Sequence, residues 1–238
     1  ERGIFVQYVV TTQIELKTIV AAAGGDPPDL AGLWSDRMPS YVSMGAIAEL
    51  DDRAAGTLIN EQTIIPAYFN ANKYHDHLYA VTLTPWSLAL YYNRDVFAKY
   101  ADQLAAAGLS ADRAPRTTDE LMQYCRILQR RDARNNIEMI GYIPGSPWPI
   151  GWYWLTWPYW FGGSLQNPET GYVCVDSPAA IQSLEWVQNY AAEFGFKELQ
   201  NLESSFANFN SPDNPFMIGQ LAMMRQGPWF ANMIQQYA

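Results

Sequence analysis

Residues 4–33 read IFVQYVVTTQIELKTIVAAAGGDPPDLAGL. The run at 4–10 is rich in β-branched and aromatic residues, the composition of a buried strand. Thr12 and Glu15 stand at capping-box spacing, so a helix is expected to start there. Leu16, Ile19, Val20 and Ala23 then recur at helical spacing. Gly24 and Gly25 stop that helix, and Pro27-Pro28 prevent its resumption. Residues 29–33 form a second short apolar segment. Two strands joined through a crossover helix run parallel, so the reading is strand–helix–strand and the class is α/β.

The next residues are Trp34, Ser35, Asp36 and Arg37, at the carboxyl end of the second expected strand. Ligands of open α/β sheets sit outside the carboxyl ends of the strands. Asp36 and Arg37 are therefore candidate polar contacts, and capping of the following short helix by Ser35 or Asp36 is the bland alternative.

Residues 142–163 read YIPGSPWPIGWYWLTWPYWFGG, without one charge. Nine of these residues are aromatic, and five of the chain's nine tryptophans fall here. Pro144, Pro147, Pro149 and Pro158 argue against a membrane-spanning helix, since an interior proline costs about 3 kcal/mol. Indole faces offer flat apolar platforms with a polar N–H at the edge. A sugar ring, with C–H faces and equatorial hydroxyls, complements such a platform. Core packing of the same rings is the alternative.

Elsewhere the local signals are conventional. Residues 73–81 read as a hairpin or a turn into a strand. Within it His75 and His77 invite a metal, but no third ligand is close in sequence and zinc takes at least three protein ligands, so no metal site is expected. Pro85 should interrupt pairing in the extended segment 82–92. Thr117 and Glu120 repeat the capping-box spacing, and Leu121, Cys125 and Leu128 mark a buried face behind them. Ser177 and Pro178 mark a helix start whose buried side is expected to carry Ile181, Leu184, Val187, Ala191 and Phe194. Residues 221–224 read as a strand leading into Gly227-Pro228-Trp229.

Composition bounds the rest. With 238 residues the chain can fill one large domain or two lobes. A formal net charge of −9 argues against a nucleic-acid partner or an anionic membrane surface. Cys125 and Cys174 have no metal-ligand spacing; they pair in an oxidising compartment or remain two buried thiols.

Taken together, the segments at 21–30 (AAAGGDPPDL), 33–37 (LWSDR), 45–52 (GAIAELDD), 90–97 (LYYNRDVF), 114–128, 141–163, 167–178 (NPETGYVCVDSP), 183–186 (SLEW) and 219–229 (GQLAMMRQGPW) resemble, in number and order, the extracytoplasmic solute-binding proteins of ATP-binding-cassette (ABC) sugar importers. The resembling cluster is the one that contains maltose-binding protein. The resemblance implies an α/β fold of the periplasmic-binding-protein-like type II, with two α/β lobes and a ligand cleft between them. The crossover falls near Pro85, giving residues 1–86 as lobe one and 87–238 as lobe two. The family pattern has one further strand before this chain's first and continues beyond GPW, so a fragment with lobe one incomplete is expected.

The same resemblance implies a binding protein, not an enzyme, that needs no cofactor. It implies a monomer outside the cytoplasm, periplasmic or lipid-anchored, that delivers a neutral sugar or oligosaccharide to a membrane permease. Matched residue by residue, Trp34, Asp36 and Arg37 are the lobe-one contacts, and Trp86 and Ser87 lie at the crossover. Trp148 and Trp152, beside Pro147, are lobe-two platforms. Gly227 and Trp229, flanking Pro228, belong to the GPW motif, where the Trp packs on the sugar or, alternatively, in the core. A sugar-phosphate or glycerol-phosphate ligand is the second possibility, with Arg37 and Arg225 as its candidate cations. A glycoside hydrolase, with Asp36 opposed to Glu185 or Asp176, is a remote third.

Overall fold

The computed structural model describes residues 3–85, 87–144, 156–167, 170–206 and 210–237. The chain divides into two compact units, Glu1–Trp86 and Ser87–Ala238.

The first unit opens on an extended segment that departs from expectation. Residues 4–10 join no ladder among the described residues, and their large side chains face outward, Phe5 at 90% and Tyr8 at 86% exposure. Residues 29–33 are likewise unpaired, with Leu30 exposed. The expected parallel pair is thus absent from this unit. An apolar run becomes a strand only when a neighbour supplies ladder bonds and a face to pack on.

Helix α1 (Ile14–Ala23) forms as expected, but not through the Thr12 box. Gln13 holds the N-cap position at φ 55° without a side-chain bond. Glu15 turns instead to Arg37, at 3.3 Å. A 3-10 turn (Ser35–Arg37) leads into α2 (Met38–Ser43), whose buried residues are Met38 and Tyr41. Helices α3 (Asp51–Ala54) and α4 (Pro66–Asn70) follow. Strands β1 (Lys73–Tyr74) and β2 (His77–Leu78) make the expected hairpin. Its two turn residues, His75 and Asp76, both lie in the left-handed region at φ 49° and 68°, as a two-residue hairpin loop demands. Ala54, Phe69 and Leu78 form a small apolar cluster, shielded by Leu50, Ile59 and Ile64.

The second unit holds the main core. Strand β3 (Ala89–Tyr92) starts past Pro85, consistent with the missing donor there. Asn93 then caps α5 (Arg94–Lys99), accepting from the N–H groups of Asp95 and Val96 at 3.1 and 3.0 Å. Helix α6 (Ala101–Ala106) follows and turns at Gly108, φ 76°. Helix α7 (Thr118–Leu128) is capped by Thr117, whose hydroxyl accepts from Glu120 N–H at 3.1 Å. It buries Leu121, Tyr124, Cys125 and Leu128, the expected face.

Strands β4 (Arg130–Arg131) and β5 (Ile137–Met139) pair antiparallel. Just beyond β5, Ile140 bridges Leu221 in parallel, and Met223 N–H donates to Gly141 O at 2.7 Å. Strand β6 (Met223–Gln226) continues from there and pairs antiparallel with β3, Leu90 opposite Arg225. Gly141 has no alternative here. A Cβ at that position would sit 2.6 Å from the Cα of Cys125, so α7 packs directly onto backbone.

Helix α8 (Trp157–Trp160), α9 (Pro178–Phe194), α10 (Phe196–Ser205) and α11 (Trp229–Tyr237) complete the unit. Ser177 caps α9 through Ala180 N–H, as expected. The buried seam of α9 is Ala180, Ser183, Tyr190 and Phe194, while Ile181 and Leu184 stay about half exposed. Of the expected apolar face, Phe194 is buried and Val187 and Ala191 pack partly buried against the core. Buried Tyr190 donates to Tyr142 O and leans on Phe194 at 4.4 Å between centroids. Those contacts set the helix's rotation. Both cysteines are free thiols; burial pushes Cys125 up to about 12, and Cys174 donates to Ser164 O at 3.2 Å. No helix of the described residues is long and apolar enough to cross a membrane.

Candidate functional site

In the second unit the site is built on the end of β6. Residues 145–155, and with them Trp148 and Trp152, lie outside the described residues, as does Trp86. Of the two described tryptophans in the aromatic run, Trp157 is core at 2% exposure and Trp160 is a surface ring at 43%. Trp160 heads a file of rings that runs inward: Trp160 to Trp157 at 4.8 Å, Trp157 to Trp186 at 4.9 Å, then Trp186 to Tyr190 at 5.6 Å. Neither reading of the run holds for all of it; one indole packs and the next is displayed.

Arg225 explains how α8 is held. Its side chain is almost wholly buried, and its guanidinium donates to Thr156 Oγ1 at the start of α8. The same group lies 5.8 Å from the centroid of Trp157 and 5.2 Å from that of Trp160, both cation–π distances. A desolvated cation over an indole is worth ~2 kcal/mol. Arg225 therefore braces the displayed ring from beneath.

Four residues further, Trp229 opens α11 with 39% of its surface exposed. Its Nε1–H donates to Gln226 Oε1 at 3.2 Å, and its ring lies across Gly227. The hydroxyl of Tyr91 on β3 donates to Gly227 O at 3.2 Å, which fixes the turn from the neighbouring strand. The core position in this motif belongs to Phe230, which meets Tyr91 and Phe216 edge-on at 5.2 and 5.3 Å. Trp229 is thus a partly exposed ring whose N–H is bonded to Gln226. Ser87, at the start of this unit, is exposed.

In the first unit Trp34, Asp36 and Arg37 are all exposed, Asp36 and Arg37 on the 3-10 turn and Trp34 at its N-cap. No side-chain cap is made from Ser35 or Asp36 to that turn or to α2. Arg37 is paired with Glu15, and burial together with Glu15 pushes the Tyr41 hydroxyl below them up to about 12.

The hairpin carries a cluster that sequence spacing did not reveal. His77 Nδ1 lies 2.7 Å from Asp51 Oδ2 and 3.4 Å from Glu49 Oε1. The Asp51 bond and the Glu49 charge hold His77 above its ordinary pKa. The Leu78 N–H, then His77, holds Asp51 below the usual carboxylate range. His75 does not take part; its ring rests on Tyr74 at 4.1 Å. The groups near His77 come from residues 26 and more positions earlier, beyond the reach of a spacing argument.

Comparison with known proteins places this geometry in a family. The family model described as "Bacterial extracellular solute-binding protein" matches residues 2–238. A maltotriose-binding protein of Pyrococcus abyssi is 24% identical over 212 residues, which is 88% of this chain and 40% of that protein. The solved structure of CpMnBP1 with mannotriose bound superposes with a TM-score of 0.76 at 28% identity, covering 97% of this chain and 56% of that one. The sugar-binding protein MalE of Xanthomonas citri superposes at 0.70 with 17% identity, over 98% and 54% of the two chains, and bears on the fold alone. The matched fold is the type II periplasmic-binding-protein class, and the chain spans about half the length of these relatives. A family match over nearly every residue makes this chain a member of the bacterial extracellular solute-binding protein family.

Proposed function

We propose that the protein is a receptor for an uncharged sugar or oligosaccharide, which it hands to the permease of an ABC importer. The carrying observation is the pair of displayed indoles in the second unit, Trp160 braced by Arg225 and Trp229 braced by Gln226. Partly exposed indole rings suit the C–H faces of a pyranose. The mannotriose bound by a 28% identical relative and the maltotriose in the name of a second relative support the same ligand class. Trp229 and Gly227 form the second-unit part of the site, with Trp148 and Trp152 assigned to it by sequence. Trp34, Asp36 and Arg37 are assigned to the first-unit part, with Trp86 and Ser87 at the junction of the chain's two units. Binding acts by population shift: ligand favours the conformer that makes more contacts with it, and that conformer is what a permease would recognise.

A phosphorylated ligand is disfavoured by what its two candidate cations do. Arg37 is paired with Glu15, and Arg225 is turned inward onto Thr156, Trp157 and Trp160. A hydrolase reading has no comparable support, since the family is one of binding proteins.

The deciding experiment is tryptophan fluorescence and thermal unfolding against mono-, di- and trisaccharides and their phosphates. A ligand at 100 times its Kd adds about 2.7 kcal/mol of stability. A saturable shift with one neutral sugar, lost in Trp229→Ala, is the expected result. A response to phosphorylated ligands alone would transfer the site to that class. Silence across the panel, in a cooperatively folded preparation, would remove the sugar assignment.

A further inference from the structure

We propose that Glu49, Asp51 and His77 form a binding site for a divalent transition-metal ion of the zinc class, separate from the sugar site. One donor atom from each residue lies within 4.8 Å of the other two. The three come from different places: Glu49 from the loop before α3, Asp51 from the first turn of α3, and His77 from β2. Their backbones are locked together. Leu50 N–H donates to Leu78 O at 2.8 Å, and Leu78 N–H donates to Asp51 Oδ1 at 3.0 Å. That second bond orients the Asp51 carboxylate and leaves Oδ2 aimed at the imidazole.

Two carboxylates converging on one imidazole nitrogen is a ligand set. Zinc bound by nitrogen and carboxylate oxygen at ~2.1 Å in a tetrahedron separates its ligands by ~3.4 Å. His77 Nδ1 and Glu49 Oε1 already stand 3.4 Å apart. The Asp51–His77 pair, at 2.7 Å, must open by part of an ångström, and both side chains reach the surface. The exposed side leaves the fourth position to water. An imidazole donor selects zinc-like ions over calcium, which takes six to eight oxygens.

The consequence is mechanical. Ala54 and Leu78, two of the three buried residues in the first unit's apolar cluster, stand beside these ligands in sequence. An ion here would staple the α3 turn to the hairpin, where the apolar cluster alone is small. Metal closure is a common substitute for a large core.

The test uses the full chain and Zn2+ alone, read by imidazole NMR and by thermal unfolding. The chain has two histidines, so each signal is its neighbour's control. The proposal expects a saturable shift of His77 at one equivalent, little change at His75, and a raised Tm reversed by chelator. His77→Gln and Glu49→Gln should each weaken binding by about tenfold or more, and His75→Gln should leave it intact. Glu49→Gln is a mild surface change, so its result does not hang on folding. Three outcomes would overturn the site: no saturable change at His77, equal losses in the His75 and His77 variants, or tighter binding of Ca2+ than of Zn2+. Sugar binding is read separately and can fail without affecting this result.

Discussion

The indole of Trp229 lies across the α-carbon of Gly227, so closely that a Cβ there would overlap ring atoms Cη2, Cζ3 and Cε3. Glycine at 227 is thus a requirement of the platform. The strand end, the glycine and the ring form one unit, pinned by Gln226 on the ring N–H and by Tyr91 on the glycine carbonyl.

Two substitutions should therefore act alike on binding. Trp229→Ala removes the platform, and Gly227→Ala drives it out of position by overpacking, a change that costs ~1–3 kcal/mol at packed sites. Each is expected to lower sugar affinity about tenfold, equivalent to ~1.4 kcal/mol. Fluorescence titration of the sugar identified by the panel measures both. Retention of full affinity in Gly227→Ala would show that the ring's position is unimportant.

Gly141→Ala should destabilise the second unit without touching the platform. The added methyl meets the Cα and Sγ of Cys125 at 2.6 and 2.8 Å, and backbone on the facing helix cannot yield cheaply. A loss of ~1–3 kcal/mol is expected in denaturant unfolding, with an unchanged m-value. Gly227→Ala and Gly141→Ala together separate a binding glycine from a packing glycine.

Tyr190→Phe removes the hydroxyl that donates to Tyr142 O. Both residues are buried, so the carbonyl is left without that donor. The expected cost is ~0.5–1.5 kcal/mol, the net contribution of one hydrogen bond. Thermal unfolding of the variant gives the number, and a change below ~0.5 kcal/mol would mean that the helix rotates to relieve it.

Acid titration should expose the Glu120 network. The Arg113 guanidinium, bonded at 2.8 and 3.0 Å, and the Arg116 N–H hold this carboxyl down to about 2 from an ordinary 4.5. A depressed folded-state pKa contributes stability that is complete above the unfolded-state value and fades as pH falls through the folded one. The stability gap between the parent protein and Glu120→Gln should therefore be constant at neutral pH and shrink between about pH 4.5 and 2. A gap that stays level across that window would mean the carboxylate charge contributes nothing.

The two T-x-x-E sequences show where local pattern ends. Thr117 caps α7 as the spacing predicts, yet Glu120 spends its carboxylate on Arg113 and the Arg116 N–H. Thr12 caps nothing at α1, because Gln13 occupies the N-cap and Glu15 is drawn to Arg37. Spacing along a helix offers a partner; a stronger charged partner from elsewhere takes it. On α9 the apolar pattern finds Phe194, Val187 and Ala191 but not the buried Tyr190, which is held by its bond to Tyr142 O.

From the sequence alone came the α/β class, a hairpin or turn within 73–81, the caps at Thr117 and Ser177, the break at Pro85 and the family. All of these rest on residues within a few positions of one another, or on the order of many short segments. Tertiary structure decided the rest. It separated buried Trp157 from displayed Trp160, seated Trp229 on Gly227 with Phe230 in the core, and left residues 4–10 unpaired despite a strand-like composition. It also brought Glu49 and Asp51 to His77 across the fold. Burial, ladder pairing and charge partnership belong to neighbours in space, and periodicity reports only neighbours in sequence.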